Sequence, residues 1–250
     1  MVWTDGRRRA DAVLCRRAES RPVQTYDLSQ TLATGMPVYP GTDPVGVEPA
    51  ATRDGDGYRT TRLDLDSHAG THVDAPAHLV DGPALGEFPL DRFAFDAALV
   101  DARDAGAREA IGVDRFRAGL AGDPEAVDIA VLATGWDSHW GTERYFDHPY
   151  LTAAAAEWLA DRGLDLAVDT VNPDPTPTDD AVAADSDDLD EPDGYPAHEA
   201  LFERDRLIVE NLRGLGRLPP RFELRAYPLR FDGADASPVR AVGVVSEGTR

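Results

Sequence analysis

The 250-residue chain contains no lysine: all 25 of its basic residues are arginine, and they stand against 46 acidic ones for a formal net charge of -21. With no basic face to neutralise phosphates, the composition argues against a nucleic-acid partner. Such self-repulsion strains a folded enzyme in dilute buffer and fades in molar salt, where the Debye length is about 3 Å. The acid excess therefore points to a halophilic cytoplasm; a GC-rich genome would exchange Lys for Arg but would not supply the extra carboxylates. Cysteine is nearly absent too. Cys15 stands alone, which excludes an internal disulfide framework and a Cys-based zinc cluster. No run approaches the roughly 20 apolar residues of a membrane span. Arginine clusters at 7–9 and 16–17 are not followed by the apolar segment of a signal peptide. Residues 1–24 are expected to form a disordered extension or to follow from an early start codon.

What is present suits one large domain or two small ones with a sizeable core. Short apolar runs at Ala98–Val100, Ile129–Leu132, Leu166–Val168 and Leu207–Val209 have the length and continuity of strands buried on both faces. Thr152 can cap a helix through Ala156, Trp158 and Leu159 that stops at Gly163. Leu63 and Leu65 alternate with Arg62, Asp64 and Asp66 as in a half-buried strand. Phe222–Leu229 and Val242–Val245 read as further strands, with Pro228 favouring an edge for the first. These signals describe a mixed α/β domain over 25–250.

The densest chemistry lies in H-A-G-T-H-V-D-A-P-A-H, residues 68–78. His68, His72 and Asp74 are spaced so that two imidazoles and a carboxylate converge on one divalent cation, zinc or manganese, and three protein ligands leave room for water. His78 lies just beyond as a candidate proton carrier. A lone histidine is more often a surface or satisfied core residue, and a spacing of four also suits neighbours on a helix. Gly70 and Pro76 argue against one continuous helix, and the cluster favours the cation.

The same motif, H-x-G-T-H-x-D-x-P-x-H, resembles that of the cyclase-like metal-dependent hydrolases, the family that includes bacterial-type kynurenine formamidase and isatin hydrolase. The likeness extends to D-L-S-Q-T-L at 27–32, G-M-P-V-Y-P-G at 35–41, T-G-W-D at 134–137, W-G-T-E at 140–143, H-P-Y-L at 148–151, His198, and E-N-L at 210–212. It implies a swivelling β/β/α domain with a mixed sheet. It implies one or two divalent ions, the first held by His68, His72 and Asp74, the second by Asp74, His198 and Glu210. Water activated by the cation would attack an amide carbonyl, and His78 would shuttle the proton to the leaving nitrogen. The implied substrate is an aryl formamide such as N-formylkynurenine; the alternatives are an isatin-like cyclic amide, or ring closure by a cyclase or lyase. A homodimer or homotetramer is also implied.

On their own residues, His198 opens a helix-like stretch with Leu201 and Phe202 on its apolar side, and Glu210 ends a buried strand. Neither observation alone distinguishes a ligand from a structural residue. Tyr39, Trp136 and Trp140 lie in matching segments and are candidates to line an aryl pocket, although buried aromatics are more often plain core. Asp169 and Asn172 could orient a ligand or make a strand-to-loop turn. His139 and His148 are expected to be structural or surface residues. The acidic stretch 173–194 reads as a solvated loop, with a lid over the site as the functional alternative.

Overall fold

The computed structural model describes residues 23–121, 127–177 and 191–246. Its centre is a nine-stranded mixed sheet in the order β1 (Val23–Asp27), β13 (Val242–Ser246), β11 (Arg221–Arg225), β5 (Ala94–Asp101), β7 (Ile129–Ala133), β9 (Asp165–Val168), β10 (Ile208–Glu210), β4 (His72–Asp74) and β12 (Ala236–Pro238). Strands β5, β7, β9 and β10 are mutually parallel, and the flanking strands pair antiparallel. Two short ribbons pair β2 (Gly46–Ala51) with β3 (Thr60–Asp64), and β6 (Ala110–Ile111) with β8 (Tyr150–Leu151). Among the described residues there are four α-helices: α1 (Arg53–Asp56), α2 (Val113–Gly119), α3 (Ala153–Ala160) and α4 (Pro196–Phe202).

The expected mixed α/β sheet is present, and the central strands show why their sequences read as unbroken apolar runs. Ala130, Leu132, Leu166, Val168 and Ile208 pack against Phe116 of α2, Leu159 of α3 and Leu201 and Phe202 of α4. The alternate residues Ile129, Val131, Ala167 and Val209 face the opposite layer with Leu28, Phe93, Leu212 and Leu224. Side chains alternate along a strand, so two covered faces require apolar residues at every position. The helix expected after Thr152 is α3: the Thr152 hydroxyl accepts from Ala155 N, and Gly163 takes φ 72° beyond its end.

Two expectations are corrected. Strand β3 exists but is exposed along its whole length, with Leu63 at 56%. Among the described residues it pairs only with β2, and of the alternating leucines it is Leu65, just past the strand end, that is half-buried, against Met36, Val45 and Ala69. Strand β11 ends at Arg225 and is interior, flanked by β5 and β13. Proline cannot donate to a ladder, and Pro228 makes only an isolated bridge to Val239 beyond the strand end. Of the extension expected over 1–24, Val23 and Gln24 open β1 and the rest, with Cys15, lies outside the described residues. Residues 178–190 of the acidic stretch, on which the lid reading rests, also lie outside them. Among the described residues, no helix is long and apolar enough to cross a membrane.

Candidate metal centre

The site forms where β4 and β10 run antiparallel, with Asp74 opposite Ile208 and His72 opposite Glu210. Residues two apart on a strand share a face, so His72, Asp74 and Glu210 all point towards α4, which carries His198. The loop that delivers His68 turns at Gly70, whose φ is +67° and where a Cβ would come within 2.7 Å of Leu32 Cδ2. Thr71 fastens that loop by donating to Asn211 O at 2.7 Å and accepting from Gln30 N at 2.8 Å. This explains why the D-L-S-Q and E-N-L segments occur with the histidine motif: they form its floor.

Three histidines share one arrangement, with the outer ring nitrogen bonded away and the inner one facing a carboxylate. His72 Nδ1 lies 2.8 Å from Gly70 O, and its Nε2 is 3.2 Å from both Asp74 Oδ1 and Glu210 Oε2. His198 Nδ1 meets Asp174 Oδ2 at 2.6 Å, and its Nε2 is 3.3 Å from Glu210 Oε1. His68 Nε2 meets Asp235 Oδ2 at 3.0 Å, and its Nδ1 is 3.0 Å from Asp74 Oδ1. Assigning the proton to each outer nitrogen, as these partners require, leaves inner lone pairs facing carboxylate lone pairs. His72 Nε2, both oxygens of Asp74 and Glu210 Oε1 are buried and lack a hydrogen-bond partner. Buried polar atoms are seldom left in that state, and a cation among them would satisfy all four. The residues fit a divalent metal.

The ligand atoms fall into two sets that share Asp74. His68, His72 and Asp74 form one, and Asp74, His198 and Glu210 the other, each with its atoms within 4.8 Å of one another. Without a cation, protons take its place. Burial alone would lower the pKa of all three rings, but the adjoining carboxylates outweigh it, raising His68 and His72 and taking His198 to about 10. His78 moves the other way: burial first, then the neighbouring His68, lowers its pKa. It sits in a single 3-10 turn, Pro76–His78, with its ring 4.1 Å from that of His68 and 6.2 Å from that of His198.

Above these groups lies a cavity of about 170 Å³, walled by Tyr39, Thr42, Asp66, Leu79, Asn172 and Tyr195. The Tyr39 and Tyr195 hydroxyls are 3.3 Å apart. Trp136 and Trp140, expected beside Tyr39, do not line it. They pack around the buried Tyr145, and Trp136 Nε1 donates to Arg144 O at 3.1 Å. Their part is to support Tyr145, whose hydroxyl donates to Asn211 Oδ1. Asp169 is likewise remote in role, because it accepts from Thr134 N, Thr134 Oγ1 and Gly135 N. Asn172 reaches the cavity and accepts from Asp174 N at 2.6 Å. His139 meets the Trp136 ring edge-on, with centroids 4.9 Å apart. His148 is fully enclosed between Pro149 O and Thr176 Oγ1, and burial takes its pKa down to about 4.

Sequence reasoning missed three residues. Asp174, completely buried, accepts from Ala197 N, His198 N and His198 Nδ1; it was hidden in a stretch read as solvated. Asp235 is 167 positions from the histidine it meets, and nothing in its surroundings marks it among 46 acidic residues. Tyr195 could be found only as the partner of Tyr39 across the cavity.

Comparison with known proteins agrees with this geometry. Residues 26–175 match the model of the Cyclase family, described as "Putative cyclase". Kynurenine formamidase of Erythrobacter litoralis is 32% identical over 227 residues, covering 87% of this chain and 92% of that protein. The Bordetella petrii kynurenine formamidase is 31% identical over 220 residues, covering 87% and 96%. The structure of isatin hydrolase A from Ralstonia solanacearum superposes with a TM-score of 0.75 at 24% identity over 90% of this chain and 92% of that one, a likeness of fold.

Proposed function

The chain belongs to the Cyclase family, and on that premise we propose that it is a metal-dependent hydrolase that cleaves the amide C–N bond of an aryl formamide of the N-formylkynurenine kind. The observation that carries the hydrolytic reading is the convergence of inner histidine nitrogens and carboxylate oxygens without hydrogen bonds between them. The choice of substrate is supported by the two kynurenine formamidases that align over most of this chain.

In this reading His68, His72 and Asp74 hold one cation, and Asp74, His198 and Glu210 a second. When bound, the metal supplies a water of lowered pKa and polarisation of the carbonyl oxygen. His78 stands beside the ligands without belonging to either of these sets, and it carries the proton to the departing amine nitrogen. Tyr39, Tyr195 and Leu79 give the cavity its apolar walls, which hold the aryl ring and limit access of bulk water. Asp174 holds His198 through Nδ1 and so keeps Nε2 directed inward.

The test is hydrolysis of N-formylkynurenine in high salt, following kynurenine release with added zinc or manganese and with a chelator control. Turnover that the chelator abolishes is expected. No turnover by folded, metal-loaded protein rejects this substrate. Hydrolysis of isatin in its place would move the assignment to cyclic amides, and ring closure without hydrolysis would move it to a cyclase.

A further inference from the structure

Asp235 occupies a place that neither the motif nor the two ligand sets accounts for. Its main chain is pinned to the site: Ala75 N donates to Asp235 O at 2.8 Å, and the next residue, Ala236, pairs with Asp74 in the β12–β4 register. Its two carboxylate oxygens are divided. Oδ1 accepts from Ser67 Oγ at 3.1 Å. Oδ2 lies 3.0 Å from His68 Nε2 and 3.4 Å from His78 Nδ1, so one oxygen faces both the ion-facing histidine and the proton carrier.

We propose that Asp235 is a positioning residue that sets His68 and His78 together. By accepting from His68 Nε2 it fixes the tautomer that turns Nδ1 towards Asp74. By facing His78 Nδ1 it leaves the other nitrogen of that ring for the substrate. The inference rests on the metal-dependent reading above and adds a residue to it. The plain alternative is a surface ion pair, since the Asp235 side chain is 37% exposed, and such pairs contribute little. Against that stand the fixed main chain, the separate bond from Ser67, and the sharing of one oxygen between two rings 4.1 Å apart. His68, His78 and Asp235 also have ligand atoms within 4.8 Å of one another. They differ from the inner sets in one respect: the 3.0 Å contact between His68 and Asp235 is a made hydrogen bond, whereas His72 Nε2, both Asp74 oxygens and Glu210 Oε1 have none. A proton already satisfies this pair. A histidine ligand that donates its outer N–H to a carboxylate is a general device for fixing ring orientation, and its loss typically costs 10–100-fold in metal affinity or activity.

The experiment uses the full chain as wild type, Asp235→Asn and Asp235→Glu. Each is titrated with Co²⁺ against a chromophoric chelator while the visible cobalt bands are recorded, and the pH profile of kcat is then measured. Melting in chelator checks the fold of each variant. Asp235→Asn is expected to take as many equivalents of Co²⁺ as wild type, with roughly 10–100-fold weaker affinity at one of them, shifted bands and a displaced pH limb. Asp235→Glu, which keeps the charge, should recover part of each change. Unchanged affinity, bands and pH profile in Asp235→Asn overturn the proposal in favour of a surface pair. Loss of a whole equivalent also overturns it, since Asp235 would then be a ligand. Wild-type protein that binds no Co²⁺ overturns the metal reading and this inference together, so the two failures are told apart by the wild-type titration.

Discussion

Replacing Asp74 by Asn tests the centre at its shared point. Both Asp74 oxygens are buried without a hydrogen-bond partner, and Asp74 contributes to both ligand sets. Substitution removes the negative charge and puts an N–H₂ donor where one acceptor stood, so neither set keeps its full complement of lone pairs. In the wild type, a cation at a hundredfold its dissociation constant adds about 2.7 kcal/mol to folding at each site by mass action. In a chain of this size each kcal/mol moves the melting midpoint by about 2–4 °C, so filling a single site should raise it by roughly 5–11 °C. In Asp74→Asn that rise should fall to within about 2 °C of zero, the shift of about 0.5–1 kcal/mol, and hydrolysis should be lost. The assay is thermal melting with and without zinc or manganese, with chelator-treated protein as the baseline. Asp74→Asn protein that keeps the full cation-induced rise would refute the argument, because the cation would then bind elsewhere.

Four other outcomes are expected. His78→Ala should cut turnover by about 10²–10⁴-fold while keeping the cation-induced rise in melting temperature; loss of that rise would make His78 a ligand. His148 is buried with its pKa lowered to about 4, so the unfolded chain binds the extra proton between that value and the ordinary 6.5. Its contribution is complete above pH 6.5 and is lost as pH falls towards 4, by about 2–3 kcal/mol at pH 4.5. Urea unfolding at pH 7.5 and 4.5 should show the wild type losing about 2–3 kcal/mol more than His148→Gln over this interval; equal changes in the two proteins contradict it. Arg92 makes a bidentate pair at 2.6 and 3.0 Å with the fully buried Asp165. Arg92→Met should destabilise by about 3–5 kcal/mol by stranding that carboxylate, and Arg92→Met with Asp165→Asn should lose less than the two changes summed. Finally, with a net charge of -21, the melting midpoint should rise between about 0.1 and 1 M KCl as the Debye length shrinks from about 10 to 3 Å; a flat response would remove the halophilic reading.

By itself the sequence determined whatever is local or periodic. Strands covered on two faces must be apolar throughout, so Ile129–Leu132 and Leu166–Val168 were legible as central strands. The Thr152 cap and the stop at Gly163 were legible because capping depends on neighbours along the chain. His68, His72, Asp74 and His78 were legible because one strand and its two flanking loops carry them all. Only the tertiary structure decided what depends on a second layer or a distant partner. The alternation of Leu63 and Leu65 could not reveal that Leu63 stays exposed on β3 while Leu65 is covered by Met36, Val45 and Ala69. Trp136 and Trp140 occur in segments that suit a pocket, yet they pack with Tyr145 and do not wall the cavity. Asp174 and Asp235 are single carboxylates in an acid-rich chain, and they acquire their roles when α4 and β12 are laid against β10 and β4. Side-chain chemistry is written residue by residue, but the atom that each histidine meets is set by pairing between strands far apart in the chain.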